Sequence, residues 1–235
     1  MPIVKFEYSV GKDIRNAVRI INKQTLHDKN EDDSWAFGRL TPEFVAEMRA
    51  MGATDEQKNR IGDYIKGEHK KAEELIEQRI KLFTERWGLV SDAYFKKIEN
   101  IFPGAFSPDG VFVAYLTSPH SCPFNLQERW FMVRYDDVGA DATAAHELFH
   151  FAFYRKYGSR CMDELKLTRK EYWDFQEATT FLLNEEMGGM LSRPDYGYKE
   201  HRKLRAMLTD EWKKHKDFDA LLAYYVTIKD SWRKE

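Results

Sequence analysis

His146, Glu147 and His150 stand in the order H-E-x-x-H within residues 141–157, DATAAHELFHFAFYRKY. On an α-helix, residues four apart lie one turn apart on the same face. Both imidazoles then reach a single metal ion, and Glu147 lies beside whatever that ion holds. Two neutral imidazoles plus a carboxylate suit zinc, with one position left for water. A metal makes that water acidic, and a neighbouring carboxylate takes its proton. The spacing therefore points to a metal-dependent hydrolase with Zn2+ as cofactor and Glu147 as general base.

Five residues are a short pattern, and the surroundings add weight to it. Ala142, Ala144, Ala145 and Leu148 are strong helix formers, no Gly or Pro interrupts the segment, and Gly158 ends it. The neighbours of the motif are Leu148, Phe149, Phe151, Ala152 and Phe153, all apolar. Two histidines and a glutamate on so apolar a helix are costly to bury without partners.

A catalytic zinc usually takes three protein ligands. The extended pattern H-E-x-x-H-x-x-G-x-x-H is not present, because Phe153 and Lys156 occupy the positions of its Gly and last His. The third ligand must lie further along, among Glu171, Glu177, Glu185, Glu186 and His201. Thr168-x-x-Glu171 reads as a capping box, so Glu171 already has a local task. Glu185 and Glu186 fall at the fraying end of the same helix. Glu177 sits mid-helix on a stripe with Trp173, Thr180, Phe181 and Asn184, which mixes apolar and small polar groups. It is the favoured candidate.

H-E-L-F-H on one helix, followed by Q-E-A-T-T on a later one, resembles the gluzincin class of zinc metallopeptidases. The resemblance covers roughly residues 111–190. It implies His146, His150 and Glu177 as metal ligands, Glu147 as general base, and a peptide or protein as substrate. Some members have Asn before the ligand glutamate, where this chain has Gln176. The class also stabilises its transition state with a Tyr or His, for which Tyr196, Tyr198, His201 and His120 are the candidates. Competing readings are a non-catalytic metal-binding protein and a helical interaction protein that retains a zincin-like fold. A carboxylate-bridged di-iron bundle would need E-x-x-H twice, and the chain has no second copy.

The elements that must position these residues read as predominantly helical α+β. Residues 3–9 alternate like a short strand, and residues 12–26 form a helix with Ile14, Val18 and Ile21 on one stripe. Residues 27–34 are polar and read as a loop. Thr41-Pro42 starts a second helix. Thr54-x-x-Gln57 caps a long amphipathic helix running to about Trp87, where Gly88 stops it and Ser91 caps a short successor. Residues 111–118 and 129–136 are β-branched and aromatic, and predict a small antiparallel sheet in mid-chain, joined by the wide loop 118–128. The second of these strands leads into the H-E-x-x-H helix. The helix opened by Thr168 runs to Gly188-Gly189, the tyrosine-rich stretch 192–201 is a loop, and two helices end the chain. The expectation is one compact domain, with a mostly helical part over 1–105, the strand pair and metal-site helices over 106–190, and C-terminal helices over 191–235.

Composition excludes several partners. The 235 residues are 43% hydrophobic and 14% aromatic, enough for a sizeable core. Basic and acidic residues number 37 and 39, well mixed, for a net charge of -2. That balance leaves no footprint for nucleic acid or an anionic membrane surface. No apolar run reaches membrane-spanning length and the N-terminus lacks a signal-peptide core, which predicts a cytoplasmic protein. Cys122 and Cys161 have no metal-knuckle spacing and read as thiols.

Overall fold

The computed structural model describes residues 1–22 and 36–233. The expected loop at 27–34 and the end of the helix at 12–26 lie outside the described residues. The chain divides into two compact units interleaved along the sequence. One comprises residues 3–88 and 111–140, the other residues 1–2, 89–110 and 141–235. Among the described residues no helix is long and apolar enough to cross a membrane.

The first unit holds the sheet. Strand β1 (Ile3–Tyr8) alternates as its sequence does, with Val4 and Phe6 buried. Strands β2 (Val111–Thr117) and β4 (Trp130–Arg134) follow, with a two-residue β3 (Phe124–Asn125) between them in sequence. The strand order is β1-β2-β4-β3. Here the expected antiparallel pair is corrected: β2 runs parallel to β1 and to β4, and only β3 is antiparallel. The sheet is therefore mixed. A tight hairpin forces antiparallel pairing, but residues 118–129 are long enough to carry the chain back to the same end of the sheet. Part of that wide loop is spent on β3.

Helix α1 (Val10–Ile21) starts at Ser9, whose hydroxyl accepts the Lys12 N–H. Its buried face is Asp13, Asn16, Ala17, Ile20 and Ile21, so the stripe lies to one side of the expected one. Buried Asp13 is satisfied from the sheet: Oδ1 accepts the Thr117 hydroxyl at 2.7 Å and the Ser118 N–H at 3.0 Å, and Oδ2 accepts the Ser118 hydroxyl at 2.8 Å. Thr41 and Pro42 open α2 (Pro42–Met51) as expected.

The longest helix, α3 (Asp55–Ile101), corrects a second expectation, since Gly88 does not stop it. Mid-helix glycine costs about 1 kcal/mol, but the apolar register continues through Trp87, Val90, Tyr94 and Ile98, all buried. Burial of those side chains outweighs one glycine.

The second unit is helical. Helix α4 (Ala140–Ser159) carries H-E-x-x-H and passes into a π-helical turn, Arg160–Glu164. Helix α5 (Arg169–Thr179) begins with the expected capping box, both halves formed. It ends earlier than expected, and α6 (Leu182–Met187) follows after a break. The hydroxyls of Thr179 and Thr180 reach back to the carbonyls of Gln176 and Glu177 at 3.0 and 2.8 Å. Such back-bonding competes with the helical ladder and bends it. A 3-10 turn, Lys199–His201, then leads into α7 (Arg202–His215) and α8 (Phe218–Ile228). Phe153 of α4 packs edge-on to Phe175 of α5 at 5.8 Å, and Phe102 and Phe218 close the same aromatic cluster at 4.7 Å. This cluster sets α4 against α5.

Glu171 ties two of these helices. It accepts the Thr168 N–H and the Lys229 ammonium, each at 2.6 Å, while the Tyr225 hydroxyl donates to its carbonyl at 2.7 Å. Lys229 and the Thr168 N–H bring its carboxyl down to about 2. A depressed carboxylate contributes stability above its unfolded pKa, near 4.5, and loses it as pH falls toward the folded value. Urea midpoints of the wild type and Glu171→Gln should differ at pH 6 and converge between pH 4.5 and 2. A gap independent of pH would mean that the charge of Glu171 contributes nothing.

Candidate metal centre

The two imidazoles of α4 meet the carboxylate of α5 in the second unit. His146 Nε2 and His150 Nε2 lie 2.9 Å apart. Glu177 Oε1 is 3.3 Å from His150 Nε2, and Glu177 Oε2 is 3.6 Å from His146 Nε2. The ligand atoms of the three residues all fall within 4.8 Å of one another. His150 is 1% exposed, Glu177 9% and His146 21%, so the cluster opens to solvent on the His146 side. The Tyr94 hydroxyl donates to the Ala145 carbonyl at 2.9 Å, one residue before His146, and ties this turn of α4 to α3.

Burial would raise the Glu177 carboxyl, but His150 and His146 outweigh it and hold the pKa below the usual range. Glu147 is also buried, and its Oε2 has no hydrogen-bond partner. Burial pushes its carboxyl up to about 7, against the pull of His146 and His150. A buried carboxyl left without a donor is expensive and calls for a ligand or a function.

Asp195, from the loop after α6, is a member of the site that the sequence reading missed. Its Oδ2 lies 2.6 Å from His146 Nδ1. Its Oδ1 lies 2.9 Å from both the Thr180 hydroxyl and the Arg205 guanidinium. Asn184 clamps the Asp195 backbone from both sides, its side chain donating to the carbonyl and accepting the N–H, each at 2.8 Å. Arg205, buried, also donates to the Thr180 hydroxyl at 2.7 Å and to the Asp195 carbonyl at 2.8 Å. Burial works against charge on Asp195, but His146 and then Arg205 and Thr180 bring its pKa down to about 2. Gly197 lets the loop approach: its φ is +59°, and a Cβ there would meet Arg205 Nη1 at 2.6 Å. Thr180 and Asn184 were visible as polar members of the Glu177 stripe. Asp195 had no such signal beyond its place in the tyrosine-rich loop.

The other third-ligand candidates are engaged elsewhere. Glu171 closes the capping box, Glu185 is an exposed partner of Lys213, and Glu186 accepts from Trp212 Nε1 at 2.7 Å. His201 is fully buried, with Nε2 3.0 Å from Asp174 Oδ1 and its ring against Trp173 at 4.8 Å. This corrects its candidacy for substrate contact, because a sealed ring held by Asp174 has no open face. Tyr198 packs on Trp173 at 5.5 Å. Tyr196 is 71% exposed, next in the chain to Asp195. His120 belongs to the other unit, where its Nε2 lies 3.6 Å from Asp136. Cys122 and Cys161 are not joined in a disulfide.

Arg205 offsets Asp195, which leaves Glu177 as the carboxylate set between the two histidines. Compared with known proteins, the chain matches no protein-family model, no curated protein and no solved structure.

Proposed function

We propose that this chain is a zinc-dependent metallopeptidase of gluzincin type, with His146, His150 and Glu177 as metal ligands and Glu147 as general base. The observation that carries the reading is the convergence of those three ligands next to a buried glutamate whose Oε2 has no protein partner. Two donors on one tetrahedral zinc, each ~2.0–2.1 Å from it, sit about 3.3 Å apart. The 2.9 Å between the two Nε2 atoms and the 3.3 Å from His150 Nε2 to Glu177 Oε1 lie near that value, and one ligand atom from each of the three residues falls within 4.8 Å of the others. A His2Glu set is one that catalytic zinc uses. Such an ion supplies Lewis acidity, which polarises a carbonyl and makes water more acidic.

The remaining work falls to side chains of the chain itself. Glu147, buried and with Oε2 free of any protein hydrogen bond, can accept a proton at that oxygen and return it to a leaving amine. Asp195 holds the His146 ring, and Arg205 holds Asp195. The apolar wall of α4, including Leu148, Phe149 and Phe153, excludes water from behind the site. Among the four candidates for substrate contact, Tyr196 has the most exposed ring in the unit that carries the ligands. The peptide as substrate follows from the resemblance of H-E-L-F-H and Q-E-A-T-T to the gluzincin motifs.

The test is turnover of a peptide library by protein carrying one zinc per chain, measured elementally. Cleavage should cease with a chelator and return with added zinc. Stoichiometric zinc with no cleavage of any peptide would replace this reading with the non-catalytic metal-binding one.

A further inference from the structure

We infer that Asp195 is a positioning residue for His146 and that it couples metal occupancy to the order of residues 192–198. The inference rests on the metal-binding part of the reading above, not on peptide cleavage. A carboxylate accepts and does not donate, so the 2.6 Å contact assigns the His146 proton to Nδ1. That leaves Nε2, the nitrogen that faces His150 and Glu177, as the one a metal can take in place of a proton. A metal-binding imidazole needs that tautomer, and an outer carboxylate that fixes it also raises the basicity of the ligand.

Asp195 is carried by a loop rather than by either ligand helix, and that placement makes the coupling. Residues 192–198 touch the ligand set at two points. One is the His146 ring. The other is Arg205, which joins the Asp195 carbonyl at 2.8 Å to the Thr180 hydroxyl at 2.7 Å and reaches the Glu177 carbonyl at 3.4 Å. The start of the loop is fastened separately: the Ser192 N–H donates to Asp141 Oδ2 at 2.7 Å and the Arg193 guanidinium to the Thr143 hydroxyl at 2.9 Å. Both acceptors are on α4, ahead of His146. Linkage is reciprocal: whatever Asp195 adds to metal affinity, the metal adds to the arrangement that places Asp195. A loop that bears the exposed ring of Tyr196 thus responds to metal loading.

The experiment compares wild type with Asp195→Asn by zinc competition against a chelator. Hydrogen exchange of residues 192–198 with and without zinc and imidazole 15N shifts of His146 complete it. Loss of an outer-sphere partner typically weakens metal binding 10–100-fold, and that is the loss expected for Asp195→Asn. Zinc should slow exchange at 192–198 in the wild type and should do so much less in the variant. The His146 shifts should report Nδ1–H in the wild type and a mixture of tautomers in the variant. A merely structural Asp195 would leave the tautomer and the zinc affinity unchanged. Equal affinity and equal loop protection in the two proteins would overturn the inference while leaving the metal site intact. Should Asp195→Asn not fold, wild-type exchange decides alone: zinc bound with no change at 192–198 overturns the coupling. A wild type that binds no zinc overturns both this inference and the reading beneath it.

Discussion

Glu147→Gln should lower peptide turnover by about 10²–10⁴-fold while leaving one zinc per chain, the range expected for removing a general base. Gln keeps the volume and the buried position of the side chain and removes the ability to accept a proton. Glu147 Oε2 is buried without a hydrogen-bond partner, so the substitution breaks no protein hydrogen bond there. A neutral amide is also cheaper to bury than a carboxylate. Thermal stability should therefore stay level or rise, and the loss should fall on kcat rather than on folding or metal content. This pattern separates Glu147 from the ligands, whose removal takes the metal with it. Full activity in the variant would exclude the base role, and loss of zinc with activity would make Glu147 a ligand.

The parts of this site that were legible in the sequence are those fixed by local periodicity. His146 and His150 share a face because their spacing matches one helical turn, and the alanines and phenylalanines around them keep the helix intact. Glu177 was legible because it sits mid-helix on a stripe of apolar and small polar residues, while the Thr168–Glu171 capping box accounts for Glu171. What was hidden depends on partners distant in sequence. The break after Thr179 needs hydroxyls that bond back to the helix and, at Thr180, an arginine from α7 to hold the kinked turn. Asp195 lies in a loop without periodicity, and its role appears only when His146 and Arg205 are brought to it. His201 was an attractive candidate until α5 supplied Asp174 and Trp173 to enclose it.

The sheet and the scaffold follow the same division. Strand β1 was readable from alternation, and β2 and β4 from their β-branched and aromatic residues, but the parallel pairing of β2 with β4 was not, because pairing direction is set by the path between strands. Gly88 is a fair stop signal by propensity, and burial of Trp87, Val90 and Tyr94 on one continuous face overrides it. Buried Asp13, Asn16 and Gln57 were invisible for a related reason. A polar residue reads as exposed until its partner is known, and Thr117 and Ser118 lie far along the chain from Asp13. Gln57 offers a smaller instance: its N–H is capped by Thr54, while its side chain donates to the Met48 carbonyl at 2.8 Å instead of completing the capping box.

Zinc should raise the melting temperature of the protein, and Glu177→Ala should remove most of that rise. A ligand that binds only the folded state stabilises it by about 4 kcal/mol at a thousandfold excess over its dissociation constant. At ~2–4 °C per kcal/mol for a chain of this size, the shift is about 8–16 °C. Ala at 177 leaves two imidazoles and a long vacancy where the carboxylate oxygens lay 3.3 and 3.6 Å from them, so binding weakens and the shift collapses. The metal-free proteins should differ far less. The variant loses the attraction of Glu177 for the two histidines, but it also loses the cost of burying the carboxylate, and these oppose each other. Glu185→Ala is the control, since Glu185 is exposed beside Lys213 and has no part in the cluster. Scanning calorimetry with and without zinc on the three proteins decides the ligand. A full zinc shift in Glu177→Ala would remove Glu177 from the site, and a lost shift in Glu185→Ala would move the third ligand to α6.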